Sequence, residues 1–180
     1  MPTSAKLPEG TTIRLLQVDD AVALAEAYWR NRLHLAPWEP TRDDDYFTPA
    51  GQRSVVFNQL SQQSAGTGYP LVVAQGEQII GRITLSGIGR GPFQSASIGY
   101  WVDAAHTGRG IARAMVEHVV DVDRDELRLH RLEAGTLLHN TASQAVLTRC
   151  GFEQFGLAPR YLKIAGEWQD HLLFQRILHD

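Results

Sequence analysis

The stretch Thr107-Gly108-Arg109-Gly110-Ile111-Ala112 directly follows the apolar run Ile98-Gly99-Tyr100-Trp101-Val102. This order predicts a strand, a short turn with two glycines, and a helix that begins where the turn ends. Glycine lets the backbone approach a ligand closely because no Cβ intervenes. The first N–H groups of a helix have no internal partner, and the helix dipole favours an anion at that end. The stretch is therefore a candidate phosphate cradle, although the glycines alone would favour a plain strand–turn–helix corner.

The motifs that follow the cradle favour the phosphate interpretation. Residues 131–136 are a strand candidate, and Asn140-Thr141-Ala142-Ser143 opens a helix that ends at Gly151-Phe152. In order and spacing, this set resembles the GCN5-related N-acetyltransferase superfamily, whose pyrophosphate loop reads Gln/Arg-x-x-Gly-x-Gly/Ala. Gly110 and Ala112 fit that pattern, whereas Thr107 stands where the family usually has Gln or Arg.

Other motifs are similar to one branch of that superfamily, the ribosomal-protein alanine N-acetyltransferases. They are Pro37-Trp38, Gly99-Tyr100-Trp101 and the run from Arg160 to His171, so the similarity spans nearly the whole chain. The resemblance implies an α+β fold with a mixed, mostly antiparallel central sheet flanked by helices. It also implies a splayed fourth strand beside the pyrophosphate loop.

Length and composition are those of an ordinary globular protein, and we expect one N-acetyltransferase domain over residues 1–180. The net charge of −3 argues against a nucleic-acid partner. Residues 1–10 lack the apolar core of a signal peptide, and no apolar run approaches the ~20 residues needed to cross a bilayer. We therefore expect a cytoplasmic protein without a membrane partner.

Besides the helix that opens at Asn140, hydrophobic periodicity predicts two helices before the cradle and one directly after it. The first begins at Asp19 or Asp20 and ends near Leu33, and the second begins at Thr48-Pro49. The apolar stripe predicted for the first helix is Val22, Ala25, Trp29 and Leu33. The stripe predicted for the helix after the cradle is Ile111, Met115, Val119 and Val122.

The resemblance implies acetyl-CoA as the acetyl donor, a primary amine as the acceptor, and no metal. In the family, the loop N–H groups bind the pyrophosphate, and the pantetheine arm lies along the fourth strand. The coenzyme-binding residues implied here are Tyr100, Trp101, Val102, Thr107, Gly108, Arg109, Gly110, Ile111, Ala112, Arg113, Asn140 and Ser143. Trp101 is equally well interpreted as a core aromatic, and Asn140 as a helix N-cap.

Three residues are predicted to serve catalysis: Ser143, Ser97 and Asn140. The resemblance places Ser143 near the thioester sulfur and gives Asn140 a hydrogen bond to the pantetheine or the acceptor. Many family members carry a general-acid tyrosine near the position of Leu147, which cannot donate a proton. Ser97 stands where several relatives have a glutamate that acts as the general base, so it would hold a water that relays the amine proton. Glu133 is the alternative base.

Acceptor binding is assigned to Trp29, Trp38 and Glu39, because a carboxylate near the site would attract a cationic amine. His171 is a candidate base or a structural residue. The resemblance favours a protein or peptide N-terminal α-amine as the acceptor. A small-molecule amine, such as an amino sugar, an antibiotic or a polyamine, and a non-catalytic acyl-CoA binding module remain open. Monomer and homodimer are equally compatible with the sequence.

Overall fold

A computed structural model describes residues 4–179, in which eight strands form one sheet in the order β1-β2-β3-β4-β5-β6-β8-β7. The strands are β1 (Ser4–Lys6), β2 (Thr12–Leu15), β3 (Gly68–Gln75), β4 (Gln78–Gly89), β5 (Ser95–Val102), β6 (Arg131–Leu137), β7 (Glu153–Ile164) and β8 (Glu167–Ile177). Within the described residues, β5 and β6 are the one parallel pair. The predicted mixed, mostly antiparallel sheet is confirmed. The strand predicted as the fourth is β5, because β1 adds a strand at the sheet edge.

Four α-helices cover the two faces of this sheet: α1 (Ala21–Leu35), α2 (Pro49–Ser64), α3 (Ile111–Val122) and α4 (Thr141–Arg149). Successive strand residues point to opposite faces. Trp101 accordingly packs in one core with α1 and α2, while its neighbour Val102 packs in a second core with α3 and α4. We call these the α1–α2 face and the α3–α4 face. No helix among the described residues is both long and apolar enough to cross a membrane.

The buried face of α1 differs from the predicted stripe. Val22, Trp29 and Leu33 are 50%, 56% and 81% exposed. The helix instead buries Leu24, Ala27, Tyr28, Asn31 and Leu35. Ala25 is buried as predicted, but the other three stripe residues are not, and the predicted stripe did not include Tyr28 and Asn31. Both are buried with their polar atoms hydrogen-bonded to residues more than 70 positions along the chain. For α3, the predicted stripe is confirmed, since all four of its residues are buried.

The parallel pairing of β5 with β6 is short, and this opens the sheet. Three residues of β5 pair with three of β6, from Ser95 opposite Arg131 to Ser97 opposite Glu133. Beyond them, residues 98–102 pair only with β4, and residues 134–137 pair only with β8. Two strand edges therefore face each other without pairing, and the predicted splayed strand is confirmed.

Candidate active site

The loop between β5 and α3 has the backbone conformation of a phosphate cradle. Gly108 and Gly110 have φ angles of +75° and +78°, in the left-handed region that favours glycine. Gly110 directly precedes the first residue of α3, so the N–H groups of the first helical turn lack intrahelical partners. A Cβ on either glycine would meet no atom within 4 Å. The glycines are thus required by the backbone conformation, and the space beside them is open.

Side chains around the loop add charge and fix its shape. Arg113 pairs with Glu117 at 2.8 Å, and Arg109 lies 3.7 Å from Glu9. Both arginines are about half exposed and border the loop. The Thr107 hydroxyl donates to the Ala104 carbonyl at 3.1 Å. Thr107 therefore stabilises its own turn, whereas the longer side chain usual in the family would extend from it.

Asp103 ties the start of this loop to α1, a connection that the sequence did not reveal. Its carboxylate accepts hydrogen bonds from Arg30 Nε and Asn31 Nδ2, both at 2.8 Å, and from the Ala105 N–H at 2.9 Å. Asn31 Oδ1 in turn accepts from the Ala104 N–H at 2.9 Å. Burial would raise the pKa of Asp103, but the bonds from Asn31, Arg30 and Ala105 lower it to about 2. The carboxylate is therefore charged at neutral pH.

A cavity of about 470 Å³ occupies the opening between β5 and β6. It extends from the N-terminus of α4 across the sheet to α1, α2 and the loop that follows α1. The predicted site residues that line it are Trp38, Glu39, Tyr100, Trp101, Asn140 and Ser143. The opening thus brings together residues assigned to the coenzyme, to catalysis and to the acceptor.

Some predicted residues lie outside this cavity. Trp29 is exposed on the outer side of α1, where Arg32 stacks on its ring. Ser97 is exposed at the closed end of the opening, opposite Glu133 in the strand pairing. Glu133 itself pairs with Arg131 at 2.6 Å. Neither Ser97 nor Glu133 is therefore among the residues that line the cavity, whereas His171, the third candidate base, is.

Ser143 and Tyr100 form a hydroxyl pair in the cavity wall. Tyr100 Oη lies 2.8 Å from Ser143 Oγ. Asn140 caps α4 by accepting from the Ser143 N–H at 3.1 Å, which fixes the position of that residue. Burial raises the pKa of Tyr100 to about 12, so its phenol keeps its proton at neutral pH. The sequence assigned Tyr100 to coenzyme binding only, and the pairing depends on two elements 43 residues apart.

Trp101 combines the two interpretations that the sequence left open. Its ring is buried in the α1–α2 face, and its Nε1 donates to Tyr28 Oη at 3.1 Å. The same residue also lines the cavity. Trp101 is therefore a core aromatic that forms part of the cavity wall.

The α1–α2 side of the cavity carries several ionisable side chains. Glu39 supplies the one carboxylate among the described lining residues, with Arg42 3.9 Å away, and burial raises its pKa. Arg82 is buried in the same wall. His171 is also buried, and its Nδ1 lies 3.0 Å from the Gln169 carbonyl. That contact places a proton on Nδ1, which leaves Nε2 as an acceptor when the ring is neutral.

A second cavity of about 330 Å³ continues from the first. The two share Tyr28, Leu35, Glu39, Pro40 and Arg42. The second extends to Ala165 in the turn between β7 and β8, whose N–H donates to the Glu39 carbonyl at 2.9 Å. The two cavities therefore adjoin at a wall that includes Glu39. Within residues 4–179, no cluster of three or more His, Cys, Asp or Glu side chains could hold a metal ion.

Comparisons with known proteins agree with this geometry. The family model for the acetyltransferase (GNAT) domain matches residues 11–153. A probable N-acetyltransferase of Bacillus subtilis, YjcK, is 37% identical over 161 residues, which are 88% of this chain and 89% of the relative. The ribosomal protein uS5-alanine N-acetyltransferase of Escherichia coli is 33% identical over 163 residues, covering 89% of this chain and 84% of that enzyme.

Two solved structures share the whole architecture. Ribosomal-protein-S5-alanine acetyltransferase from Vibrio fischeri superposes with a TM-score of 0.93 at 36% identity, over 98% of this chain and 97% of that one. RimJ from Mycobacterium smegmatis, solved in complex with CoA-disulfide, has a TM-score of 0.91 at 32% identity, over 97% and 85%. The chain therefore belongs to the acetyltransferase (GNAT) family, in agreement with the resemblance of its motifs.

Proposed function

We propose that this protein transfers the acetyl group of acetyl-CoA directly to a primary amine, and that the favoured acceptor is the N-terminal α-amine of a protein or peptide. The observation that carries this proposal is the opening between β5 and β6 beside the glycine loop. It places a phosphate cradle, an unpaired strand edge and a hydroxyl pair along one cavity. Relatives named as ribosomal-protein alanine acetyltransferases favour a protein acceptor, which would place the enzyme in the cytoplasm.

The chain offers each part of the coenzyme a fitting group. The N–H groups at the start of α3 would bind the pyrophosphate, with Arg109 and Arg113 adding positive charge nearby. Unpaired backbone groups of residues 98–102 need hydrogen-bond partners, and pantetheine amides would supply them. Bound acetyl-CoA supplies the acetyl group and a thiolate leaving group.

Two proton transfers must balance the reaction, since the amine loses a proton and the departing thiolate gains one. Ser143 Oγ would donate a proton to the sulfur, the Tyr100 phenol, 2.8 Å away, would stabilise the resulting serine oxygen by a hydrogen bond, and solvent would return the proton to Ser143. Glu39 is our candidate for the proton acceptor. It lies in the cavity, and burial raises its pKa, so its carboxylate is a stronger base than one on the surface.

Three further residues would have smaller roles, two in proton removal and one in acceptor binding. His171 is the second candidate acceptor, because its Nε2 is free to accept. Ser97, which lies outside the cavity, would act only through a chain of waters. Trp38, which stacks against His139 with ring centroids 5.3 Å apart, would bind the acceptor at the cavity wall.

The shape of the site favours a peptide over a small amine. The two cavities meet at Glu39, so a chain entering by one could continue into the other. A closed pocket, which would suit an amino sugar or a polyamine, would lack this continuation. An extended acceptor with its terminal amine near Glu39 would occupy both cavities.

Acetyl-CoA-dependent release of free thiol tests the proposal. The acceptors are short peptides that begin with Ala, Ser or Leu, compared with amino sugars, polyamines and free amino acids. The same peptides with acetylated N-termini serve as the control for side-chain transfer. We expect turnover on free N-termini. Turnover on small amines alone would replace the protein acceptor, and coenzyme binding without any turnover would favour a binding module.

A further inference from the structure

Arg82 is a buried cation whose hydrogen bonds are largely unused. It lies on β4 opposite Trp101 in the strand pairing and is 5% exposed. Its Nη1 donates to Tyr28 Oη over 3.4 Å, a long contact. Its Nε and Nη2 are buried without a hydrogen-bond partner. Burying a charge is unfavourable unless a partner compensates for the lost water.

Across residues 4–179, no carboxylate lies within ion-pair distance of Arg82, although its charge and that of Glu39 attract each other across the cavity. Tyr28 Oη also accepts from Trp101 Nε1 at 3.1 Å. Glu39 carries the one carboxylate among the described lining residues, and its ion pair is with Arg42. Arg82 therefore lines the cavity as a buried cation without a carboxylate in ion-pair contact among the described residues.

Two more polar atoms in the same cavity lack partners. Gln59 Oε1 on α2 and Thr136 Oγ1 on β6 are both buried without a hydrogen bond, and both residues line the cavity. Lining residues from three separate elements, each with an unpartnered buried polar atom, thus converge on one cavity. Buried polar groups in native proteins are nearly always hydrogen-bonded, so this convergence indicates the binding site of a polar ligand.

The free atoms of Arg82 identify the chemistry of that ligand. Nε and Nη2 lie along one edge of the guanidinium plane, and such an edge matches the two oxygens of a carboxylate. We propose that Arg82 binds a carboxylate of the acceptor molecule, which makes this enzyme selective for acceptors that carry a carboxylate near the reacting amine. This rests on the proposed function, because it assumes that the amine acceptor occupies this cavity.

The charges of the cavity suit an acceptor with both an amine and a carboxylate. Glu39 would attract the ammonium group, and Arg82 would hold the carboxylate. An acidic side chain near the start of a peptide and the α-carboxylate of a free amino acid both supply that chemistry. A polyamine or an amino sugar supplies only the amine and would leave the Arg82 edge without a partner.

Matched acceptors test this selectivity. One set contains Ala-initiated peptides with Glu or Gln at position two, and with Glu or Gln at position three. The other set compares alanine with alaninamide. We expect the wild-type protein to prefer the carboxylate member of at least one pair by about tenfold to a hundredfold in kcat/KM, the range of a charge-assisted bond. The peptide and amino-acid sets distinguish the two sources of the carboxylate.

Variants assign the selectivity to Arg82. In Arg82→Met, the kcat/KM ratio of the carboxylate to the amide acceptor should fall to about one. Arg82→Lys should retain part of the preference, since lysine keeps the charge but lacks the paired donors of the guanidinium. Arg53→Met, on the exposed side of α2, is the control and should keep the wild-type preference. The proposal would be overturned if Arg82→Met kept the wild-type preference for carboxylate acceptors. It would also be overturned if the wild-type protein showed no such preference in any pair.

Stability separates a binding role from a structural one. Removal of an unpaired buried charge should leave the melting temperature of Arg82→Met unchanged or raised, whereas removal of a structural arginine would lower it. If no acceptor is turned over, the proposed function fails, and acetate becomes the direct probe. Acetate, against chloride at equal ionic strength, should then raise the melting temperature of the wild-type protein but not of Arg82→Met. Equal responses would reject the carboxylate site.

Discussion

The two sides of the opening between β5 and β6 are built differently. On the proposed coenzyme side, the groups available for binding are mainly backbone N–H and C=O, set in place by Gly108, Gly110 and the separation of the strands. On the acceptor side, they are buried side chains of α1, α2, β4 and β8. Backbone groups depend little on side-chain identity, so Thr107, at a family position usually occupied by Gln or Arg, leaves the proposed cradle intact. Side-chain binding is altered by single substitutions, so the acceptor side is where family members can diverge.

The largest effect is expected at Gly110. Valine there would strain a backbone with φ of +78° and block the approach of the pyrophosphate, so we expect acetyl-CoA affinity to fall at least 100-fold. Calorimetric titration measures this loss. Gly66→Val is the matched control, since Gly66 has φ of +71° and open space around its Cβ position but lies outside the loop. Equal affinity in both variants would remove the loop from coenzyme binding.

Ser143→Ala tests the hydroxyl that lies between the two sides. We expect kcat to fall by roughly 10²–10⁴-fold with little change in acetyl-CoA affinity, because a proton donor to the leaving thiolate is lost. Tyr100→Phe should have a smaller effect, since Tyr100 acts through Ser143. Thr141→Ala, at an exposed position two residues earlier, should resemble the wild-type protein. A normal kcat in Ser143→Ala would exclude this donor.

Asp103 joins the two sides, so its replacement should disturb both. Asp103→Ala removes the carboxylate that accepts from Arg30 Nε and Asn31 Nδ2 and leaves the Arg30 charge unpaired, and we expect a loss of about 3 kcal/mol in the free energy of unfolding. The folded-state pKa of about 2 is below the ordinary value of 3.8. The stabilisation of the folded protein by the Asp103 carboxylate is therefore present above about pH 4 and is lost as the pH falls toward 2. Urea titrations at several pH values should show a steeper acid loss in the wild-type protein than in the variant.

The smallest predicted effect concerns proton removal on the acceptor side. Glu39→Gln should lower kcat/KM by about tenfold to a hundredfold and remove the acidic limb of its pH profile. Burial raises the pKa of Glu39, so in the wild-type protein that limb should lie above the ordinary carboxyl range. Ser97→Ala should change kcat/KM by less than about threefold. A larger decrease in kcat/KM for Ser97→Ala than for Glu39→Gln would restore Ser97 as the relay. A decrease found only in His171→Gln would identify His171 as the base.

The features that could be predicted from the sequence follow the division between the coenzyme side and the acceptor side. The cradle, the stripe of α3 and the cap at Asn140 depend on residues close together in the chain, and they were predicted from local patterns. The stripe of α1 was wrong because Tyr28 and Asn31 are buried against Trp101 and Asp103, some 70 residues away. Such partners are not visible in a local pattern.

The acceptor wall shows a second limit of sequence reasoning. Arg82 stands in an apolar strand, where a lone charge is typical of an outward-facing residue. Only the strand register places it beneath Tyr28 and opposite Trp101. Ser97 was assigned by its position in a family motif, and the register instead places it where β5 still pairs with β6. Register and strand separation are tertiary properties, so they determine which residues meet in the cavity.

The three-residue pairing of β5 with β6 also bears on the life of the folded protein in the cell. A coenzyme that hydrogen-bonds to the free edge at residues 98–102 would act as a missing strand of the sheet. Because it would bind the folded chain and not the unfolded one, it would raise resistance to unfolding in proportion to its supply. Amide protons along that edge would exchange quickly in the free protein and slowly in the complex. The metabolic state of the cell would then set how long each molecule escapes proteolysis.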